Sequence, residues 1–159
     1  MAFYSGPSFC QGSVSIGQPD PDLVQQIPET CDVRDSIVHW FSEARIKNDV
    51  LYFSIFLSRA LVGQILLHDL DYGAGESLVG YHLFAPQFRG QGIGTQALRL
   101  LQRFVLTQAA LRTLFIITSR DNLASQRIAQ KCGFTYVGRP REDLVNGLVF
   151  EWRVAQSHT

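Results

Sequence analysis

Hydrophobic residues along this chain recur with either the helical or the strand period, and the helical period predicts three helices. The predicted helices span residues 32–46, 93–108 and 122–131. In the first of them Ile37, Phe41 and Ala44 fall on one face, as the helical period requires. Asp32 stands where an N-terminal capping residue of that helix belongs. Gly133 follows the third helix at a position where a left-handed residue often ends one.

Shorter apolar or alternating stretches predict the strands. They span residues 50–57, 61–70, 76–84, 114–118, 135–139 and 148–154. The first two are joined as a hairpin, and the third is expected to run antiparallel to the second. The apolar run at 114–118 is typical of a central parallel strand. Residues 1–28 have the least informative pattern, and allow a short strand at 13–16 and a helical turn at 22–26.

The order of these elements predicts an α+β (mixed α/β) fold. Strand, glycine-rich turn, helix and strand over residues 76–118 form a βαβ unit whose crossover should be right-handed. The strands build a central, mixed, twisted sheet of about six to seven strands with helices on both faces. The 159 residues suffice for one substantial core, so we expect residues 1–159 to form a single domain.

Composition and charge narrow the function classes. Basic and acidic residues number 14 each and no basic run occurs, so nucleic acid and acidic membranes are not expected partners. No apolar run approaches the roughly 20 residues that span a bilayer, and the N-terminus lacks the features of a signal peptide. The three cysteines have no CxxC spacing, which favours free thiols over disulfides or zinc. We therefore expect a cytoplasmic protein without a bound metal.

A glycine-rich turn joins the strand at 76–84 to the helix at 93–108. It consists of Arg89, Gly90, Gln91, Gly92, Ile93, Gly94 and Thr95. Glycine allows close backbone approach, and a helix N-terminus offers free N–H groups, so the turn is predicted to hold a pyrophosphate. One alternative is a connection that binds nothing. Another is a dinucleotide fingerprint formed with Ala97, but the acidic residue expected about 20 residues later is missing.

A second motif lies on the helix at 122–131. It begins at Asn122, has Ser125 three residues later, and ends at Gly133-Phe134. With the pattern Arg89-x-x-Gly92-x-Gly94 before it, this motif resembles the GNAT superfamily of acyl-CoA-dependent N-acetyltransferases over about residues 50–154. The resemblance implies the GNAT fold and acetyl-CoA as co-substrate. With serine at this position, the motif is similar to that of the ribosomal-protein N-terminal (Rim-type) acetyltransferases, a group that also includes acetylators of small amines.

The resemblance implies roles for these residues. Residues 89–95 would hold the pyrophosphate of acetyl-CoA, Asn122 would contact its pantetheine arm, and Ser125 would face the thioester sulfur. The arm would lie between the strands at 76–84 and 114–118 and pair with their backbone. A backbone N–H near Leu83 or Phe84 would stabilise the oxyanion of the attacked carbonyl.

Proton transfer is less well specified by the motifs. Many family members carry a tyrosine where this chain has Ala129, so Ser125 is the remaining candidate for the acid that protonates the thiolate. The alternative is a serine that bonds only its own helix backbone.

The general base is also open. The resemblance aligns a carboxylate of the family with Leu78; Glu76 and His82 share its strand face, and imidazole titrates near neutral pH. The alternatives are a structural histidine, a solvated glutamate and a chain of waters. The residues expected to line the acceptor mouth are His68, Asp69 and Asp71.

The predicted function is transfer of the acetyl group of acetyl-CoA to a primary amine, either a protein N-terminus or a small molecule. The alternative is a CoA-binding sensor or scaffold without catalysis. The resemblance also allows a homodimer, since dimerisation is common in this fold. The sequence does not identify the amine.

Overall fold

Eight strands and four helices form the part of the chain, residues 2–138 and 147–155, that the computed structural model describes. The strands are β1 (Phe9–Gln11), β2 (Val14–Gly17), β3 (Leu51–Leu57), β4 (Ala60–Asp71), β5 (Glu76–Leu83), β6 (Thr113–Ser119), β7 (Thr135–Gly138) and β8 (Gly147–Arg153). The helices are α1 (Leu23–Gln26), α2 (Arg34–Ile46), α3 (Ile93–Leu106) and α4 (Leu123–Lys131). A single 3₁₀ turn, Pro86–Phe88, precedes the glycine-rich turn.

All eight strands belong to one mixed sheet, in the order β1-β2-β3-β4-β5-β6-β8-β7. Only β5 and β6 are parallel neighbours, and α3 connects them as the βαβ pattern predicts. The sheet has one strand more than the six to seven expected. The additional strand is β1, whose three residues are too few to show a period in the sequence.

Helices cover both faces of this sheet. On one face, Leu98 of α3 joins Ile65 of β4 in the larger of two core clusters. On the other face, Leu23 of α1 and Phe41 of α2 join Tyr52 of β3 in the smaller cluster. These clusters confirm the predicted α+β fold with helices on both faces.

Element boundaries agree with the predictions to within a few residues. The informative difference is at α2, which begins after Val33, while the carboxylate of Asp32 accepts hydrogen bonds from Arg89 instead of capping the helix. The strand predicted over 135–139 ends at Gly138, and Arg139 lies outside the described residues. Within the described ranges, no helix is both long and apolar enough to cross a membrane.

Candidate functional site

The candidate site is a cleft between β5 and β6. The two strands pair through only three residues each, Glu76–Leu78 of β5 with Thr113–Phe115 of β6. Beyond that they separate and leave a cleft of about 730 Å³, which the glycine-rich turn and the start of α4 close at its sides. The side chains and turn residues that give the cleft its chemistry are His68, Tyr81, His82, Arg89, Gly90, Gly92, Asn122 and Ser125.

Two glycines of the turn shape one part of this cleft through their backbone. Gly90 and Gly92 have φ angles of +74° and +79°, which L side chains rarely adopt, and a Cβ on either would meet nothing within 4 Å. Among the described residues, the amides of Gly90, Gln91 and Gly92 donate no hydrogen bond to the protein. Free amides beside open space, at the positive end of a long helix, fit a pyrophosphate.

Gly94 serves a different purpose in the same turn. A Cβ there would lie 3.1 Å from Cδ1 of Ile128, so the absent side chain lets α3 approach α4. Ile93, Gly94 and Thr95 belong to the first turn of α3, whose N–H groups have no partner within the helix. Gln91 is not a lining residue, and its side chain donates to the carbonyl of Gln87.

Arg89 is held by a carboxylate at the rim of the cleft. Its guanidinium donates two hydrogen bonds to Asp32, at 2.9 and 2.8 Å, a geometry that suits an arginine–carboxylate pair. The hydrogen bond from Arg89 lowers the pKa of Asp32 below its ordinary value. This pairing explains why Asp32 does not cap α2, and it fixes Arg89 beside the glycine-rich turn.

The start of α4 also contributes a pair of hydrogen-bonded hydroxyls to the cleft. Asn122 caps the helix, since its Oδ1 accepts the backbone N–H of Ser125 at 3.0 Å. The Oγ of Ser125 shares a hydrogen bond of 2.9 Å with the hydroxyl of Tyr81 on β5. Ser125 therefore does more than bond its own helix. Burial raises the pKa of Tyr81, so this hydroxyl keeps its proton at neutral pH.

Sequence reasoning missed Tyr81. The position of Ala129, where many family members have tyrosine, is fully buried in the larger core cluster and is not in the cleft. A tyrosine on β5 instead reaches Ser125. The alternation of side chains along a strand could have indicated this tyrosine. Tyr81 points to the opposite face of β5 from Gly80 and His82, and that face carries α3 and α4.

His82 belongs to a buried chain of three side chains. The hydroxyl of Tyr52 donates to Oε1 of Gln64 at 2.5 Å, and the Nε2 of Gln64 lies 3.0 Å from the Nδ1 of His82. Burial raises the pKa of Tyr52, so its hydroxyl is a donor, and it has no other acceptor among the described residues. Gln64 must then offer its amide N–H groups to His82.

This chain decides which nitrogen of His82 carries the proton. Because Nδ1 accepts from Gln64, the neutral imidazole holds its proton on Nε2. Burial, and then the positive charge of Arg89, lower the pKa of His82, so the ring stays neutral. The nitrogen left for a ligand is therefore a donor, which argues against the predicted role of His82 as the general base.

Of the other predicted residues, Glu76 and Phe84 are not available to a ligand in the cleft, whereas Leu83 is. Glu76 is an exposed residue at the opposite end of β5 from His82, roughly 20 Å away along the strand, and it does not line the cleft. Phe84 is buried, and its amide donates to the carbonyl of Val62 at 2.8 Å, so it is not available to an oxyanion. Leu83 does line the cleft. By strand alternation its amide points away from β4.

Comparison with known proteins identifies the family. The family model described as acetyltransferase (GNAT) domain matches residues 14–135. The chain belongs to the GNAT acetyltransferase family. This membership confirms the family predicted from the two motifs, and it was the pairing of the motifs, rather than either one alone, that carried the prediction.

Relatives within the family share the fold and part of the sequence. "Putative ribosomal N-acetyltransferase YdaF" of Bacillus subtilis (strain 168) is 33% identical over 90 residues, which is 56% of this chain and 49% of that protein. The chain thus spans about half the length of this curated relative. RimL, a ribosomal L7/L12 alpha-N-protein acetyltransferase solved with coenzyme A, superposes with a TM-score of 0.75 at 17% identity over 93% of this chain and 98% of RimL.

Spermidine N-acetyltransferase from Vibrio cholerae, solved with CoA and spermine, has the same fold. It superposes with a TM-score of 0.71 at 12% identity, over 90% of this chain and 96% of that chain. At such identities the two superpositions show the GNAT fold, which confirms the predicted fold class.

Proposed function

We propose that this chain transfers the acetyl group of acetyl-CoA to a primary amine. The observation that carries the proposal is one continuous cleft that is lined both by free glycine-turn amides and by the Tyr81–Ser125 hydroxyl pair. Membership of an acetyltransferase family supports it. Location in the cytoplasm and formation of a homodimer stay predictions.

The residues that would hold acetyl-CoA fit its parts. The amides of residues 90–95, with Arg89 beside them, suit the pyrophosphate. Beyond the residues that pair with β6, the amides of Tyr81 and Leu83 on β5 point by alternation toward the open edge, where an extended amide-bearing arm can add as a strand would. Asn122 keeps its Nδ2 donor for the same arm, because its Oδ1 is used in capping.

Acetyl-CoA in this cleft supplies an acetyl thioester, and the residues of the chain supply hydrogen bonds and protons. Tyr81 and Ser125 form a pair through which a proton can pass to a leaving thiolate, since each hydroxyl both donates and accepts. The Nε2–H of His82 and the amide of Leu83 are donors suited to an oxyanion.

The amine is proposed only as a class. RimL acts, by its name, on the N-terminus of a ribosomal protein, and the Vibrio cholerae relative acts on spermidine. Both acceptors are primary amines, so the experiment must offer both kinds.

The test measures release of free CoA thiol from acetyl-CoA with peptides that begin with Ser or Ala and, separately, with spermidine. We expect transfer to at least one of them, with the acetylated product detected by mass. Binding of CoA in a calorimeter without transfer to any amine would favour the sensor or scaffold function instead.

A further inference from the structure

A second histidine lines the cleft. His68 lies near the end of β4, its side chain is 16% exposed, and its Nδ1 is 2.7 Å from Oδ2 of Asp69. Its ring packs against the indole of Trp40 on α2, with the two centroids 4.3 Å apart. The contacts with the carboxylate and the indole together fix the orientation of the imidazole ring.

The partner of His68 determines its tautomer. An ionised carboxylate can only accept a hydrogen bond, so Nδ1 of His68 carries the proton and donates it to Asp69. Nε2 of the neutral ring then has a free lone pair. A Cβ built on Gly80 would lie 3.7 Å from Cδ2 and 3.8 Å from Nε2 of His68, so this edge of the ring packs beside a cleft residue that has no side chain to cover it.

The backbone around this pair is also unusual. Asp69 has a φ of +50°, one of only two non-glycine residues with positive φ in the described part of the chain, and the pairing of β4 with β5 shifts register between His68 and Asp71. The carbonyl of His68 accepts a hydrogen bond from Oγ of Ser77 at 3.0 Å. The shift brings the carboxylate of the next residue back onto the imidazole, where regular strand alternation would send it to the other face.

The two histidines of the cleft therefore present opposite hydrogen-bonding groups, one a donor and the other an acceptor. His82 presents a donor because its Nδ1 accepts from Gln64, and His68 presents an acceptor because its Nδ1 donates to Asp69. His68 is also the cross-strand partner of Leu78, the residue that the family resemblance aligns with a carboxylate. We propose that His68 is the general base that deprotonates the acceptor amine, and that Asp69 and Trp40 are its positioning residues.

The proposed step is a single proton transfer. An N–H bond of the substrate ammonium breaks and an N–H bond forms at Nε2 of His68, so the amine keeps the electron pair with which it attacks. The positive charge moves to the imidazole, whose Nδ1–H remains bonded to Asp69. The imidazolium then returns the proton to water at the cleft mouth. This inference rests on the proposed acetyl transfer.

The first test reads the tautomers and needs no turnover. In ¹⁵N-histidine-labelled protein above pH 8, long-range ¹H–¹⁵N spectra should show the proton of His68 on Nδ1 and that of His82 on Nε2. Asp69→Asn should remove the preference of His68 and leave that of His82, while asparagine still tolerates the left-handed backbone at this position. A proton on Nε2 of His68 in the unsubstituted protein would overturn the proposal.

The second test measures transfer from acetyl-CoA to whichever probe, a Ser- or Ala-initial peptide or spermidine, the unsubstituted protein acetylates. His68→Gln should lower kcat about 100-fold or more, the contribution typical of a general base, with the dissociation constant for CoA within twofold. The exposed Asp35, which is on α2 and does not line the cleft, provides the control Asp35→Asn, which should keep full kcat. Added imidazole should restore part of the kcat lost in His68→Ala.

The outcomes separate the two proposals. If the unsubstituted protein acetylates neither probe, the proposed acetyl transfer fails and this inference fails with it. If it acetylates a probe and His68→Gln does so equally fast, only the role of His68 is wrong. Because CoA binding is measured for every variant, a loss of folding is distinguished from a loss of the base.

Discussion

At the scale of single residues, the site depends on backbone conformations that few residues adopt and on which atoms carry protons. Gly90 and Gly92 are required for their positive φ angles, whereas Gly94 is required for the space between α3 and α4. The polarity of His82 depends on Gln64, which depends in turn on Tyr52. None of these dependences follows from the residue type alone.

Replacement of Gly92 tests the proposed pyrophosphate site. Gly92→Ala strains a residue at φ +79°, at a cost of roughly 1 kcal/mol of folding stability, and turns the adjacent amides away from the ligand. We expect the affinity for CoA, measured by calorimetry, to fall about tenfold or more. The matched control is Gly12→Ala, which also has positive φ and open surroundings but lies outside the cleft. Equal losses of CoA affinity in both variants would contradict the assignment.

The hydroxyl of Tyr81 is tested by its removal. Tyr81→Phe keeps the ring and deletes the partner of Ser125, so kcat for acetyl transfer should fall about 10- to 100-fold while CoA still binds. Tyr136→Phe, at an exposed position on β7, is the control and should retain full activity. An unchanged kcat in Tyr81→Phe would exclude this hydroxyl from the proton path.

His82 should make the stability of the protein depend on pH. Its pKa is lowered in the folded state, so below about pH 6.5, the ordinary histidine value, the unfolded chain binds a proton that the folded chain does not. Stability must therefore fall as pH decreases through this range. Urea unfolding at pH 7 and pH 5 should show a larger loss for the unsubstituted protein than for His82→Gln. Equal losses would mean that His82 titrates normally.

At the scale of elements, α3 joins the site to the core. Its N-terminal turn faces the cleft, and one of its faces carries the largest apolar stripe of the fold, including Ala97, Leu98, Leu101 and Val105 in the larger cluster. The free amides at the site are held still because the helix behind them is buried. A change in this stripe should therefore affect stability first and ligand binding second.

Two leucines of α3 test this packing. Leu98 is fully buried, so Leu98→Ala should lower the free energy of unfolding by about 2–5 kcal/mol. Leu106 is 60% exposed at the end of the same helix, and Leu106→Ala should change that free energy by no more than about 0.5 kcal/mol. Denaturant titration measures both. Similar values for the two variants would contradict the described orientation of α3.

At the scale of the whole molecule, the sheet is continuous across eight strands except at the cleft. The parallel pair β5 and β6 separates after three paired residues and leaves an unpaired edge inside the sheet. A ligand that adds its own hydrogen bonds to that edge should tie the two parts of the sheet together. Its binding is then linked to the stability of the entire fold.

Thermal unfolding tests this linkage. CoA at about 100 times its dissociation constant should add about 2.7 kcal/mol of stability, which for a chain of this size corresponds to a rise in Tm of about 5–10 °C. The dinucleotide NAD⁺ should cause no comparable rise, because the turn lacks the acidic residue of a dinucleotide site. A larger shift with NAD⁺ than with CoA would reverse the choice between the two kinds of site.

Much of this fold, including the glycine-rich turn and the helix after it, was predictable, because short-range patterns encode them. Helical and strand periods gave α2, α3, α4 and the six strands from β3 onward, while β1 was too short to leave a period. The glycines of residues 90–94 predict a phosphate turn because their backbone requirements are local. Gly133 likewise marks the end of α4 as predicted, with a φ of +82°.

The tertiary structure alone decided the hydrogen-bonding side chains of the cleft, because their proton positions depend on contacts between elements. Tyr81 reaches Ser125 across the gap from β5 to α4, and Asp32 reaches Arg89 from before α2. His82 looks like a base in the sequence, but Gln64 on the neighbouring strand makes it a donor. Sequence spacing thus determined where the glycine-rich turn lies, and packing determined which side chains donate or accept a proton.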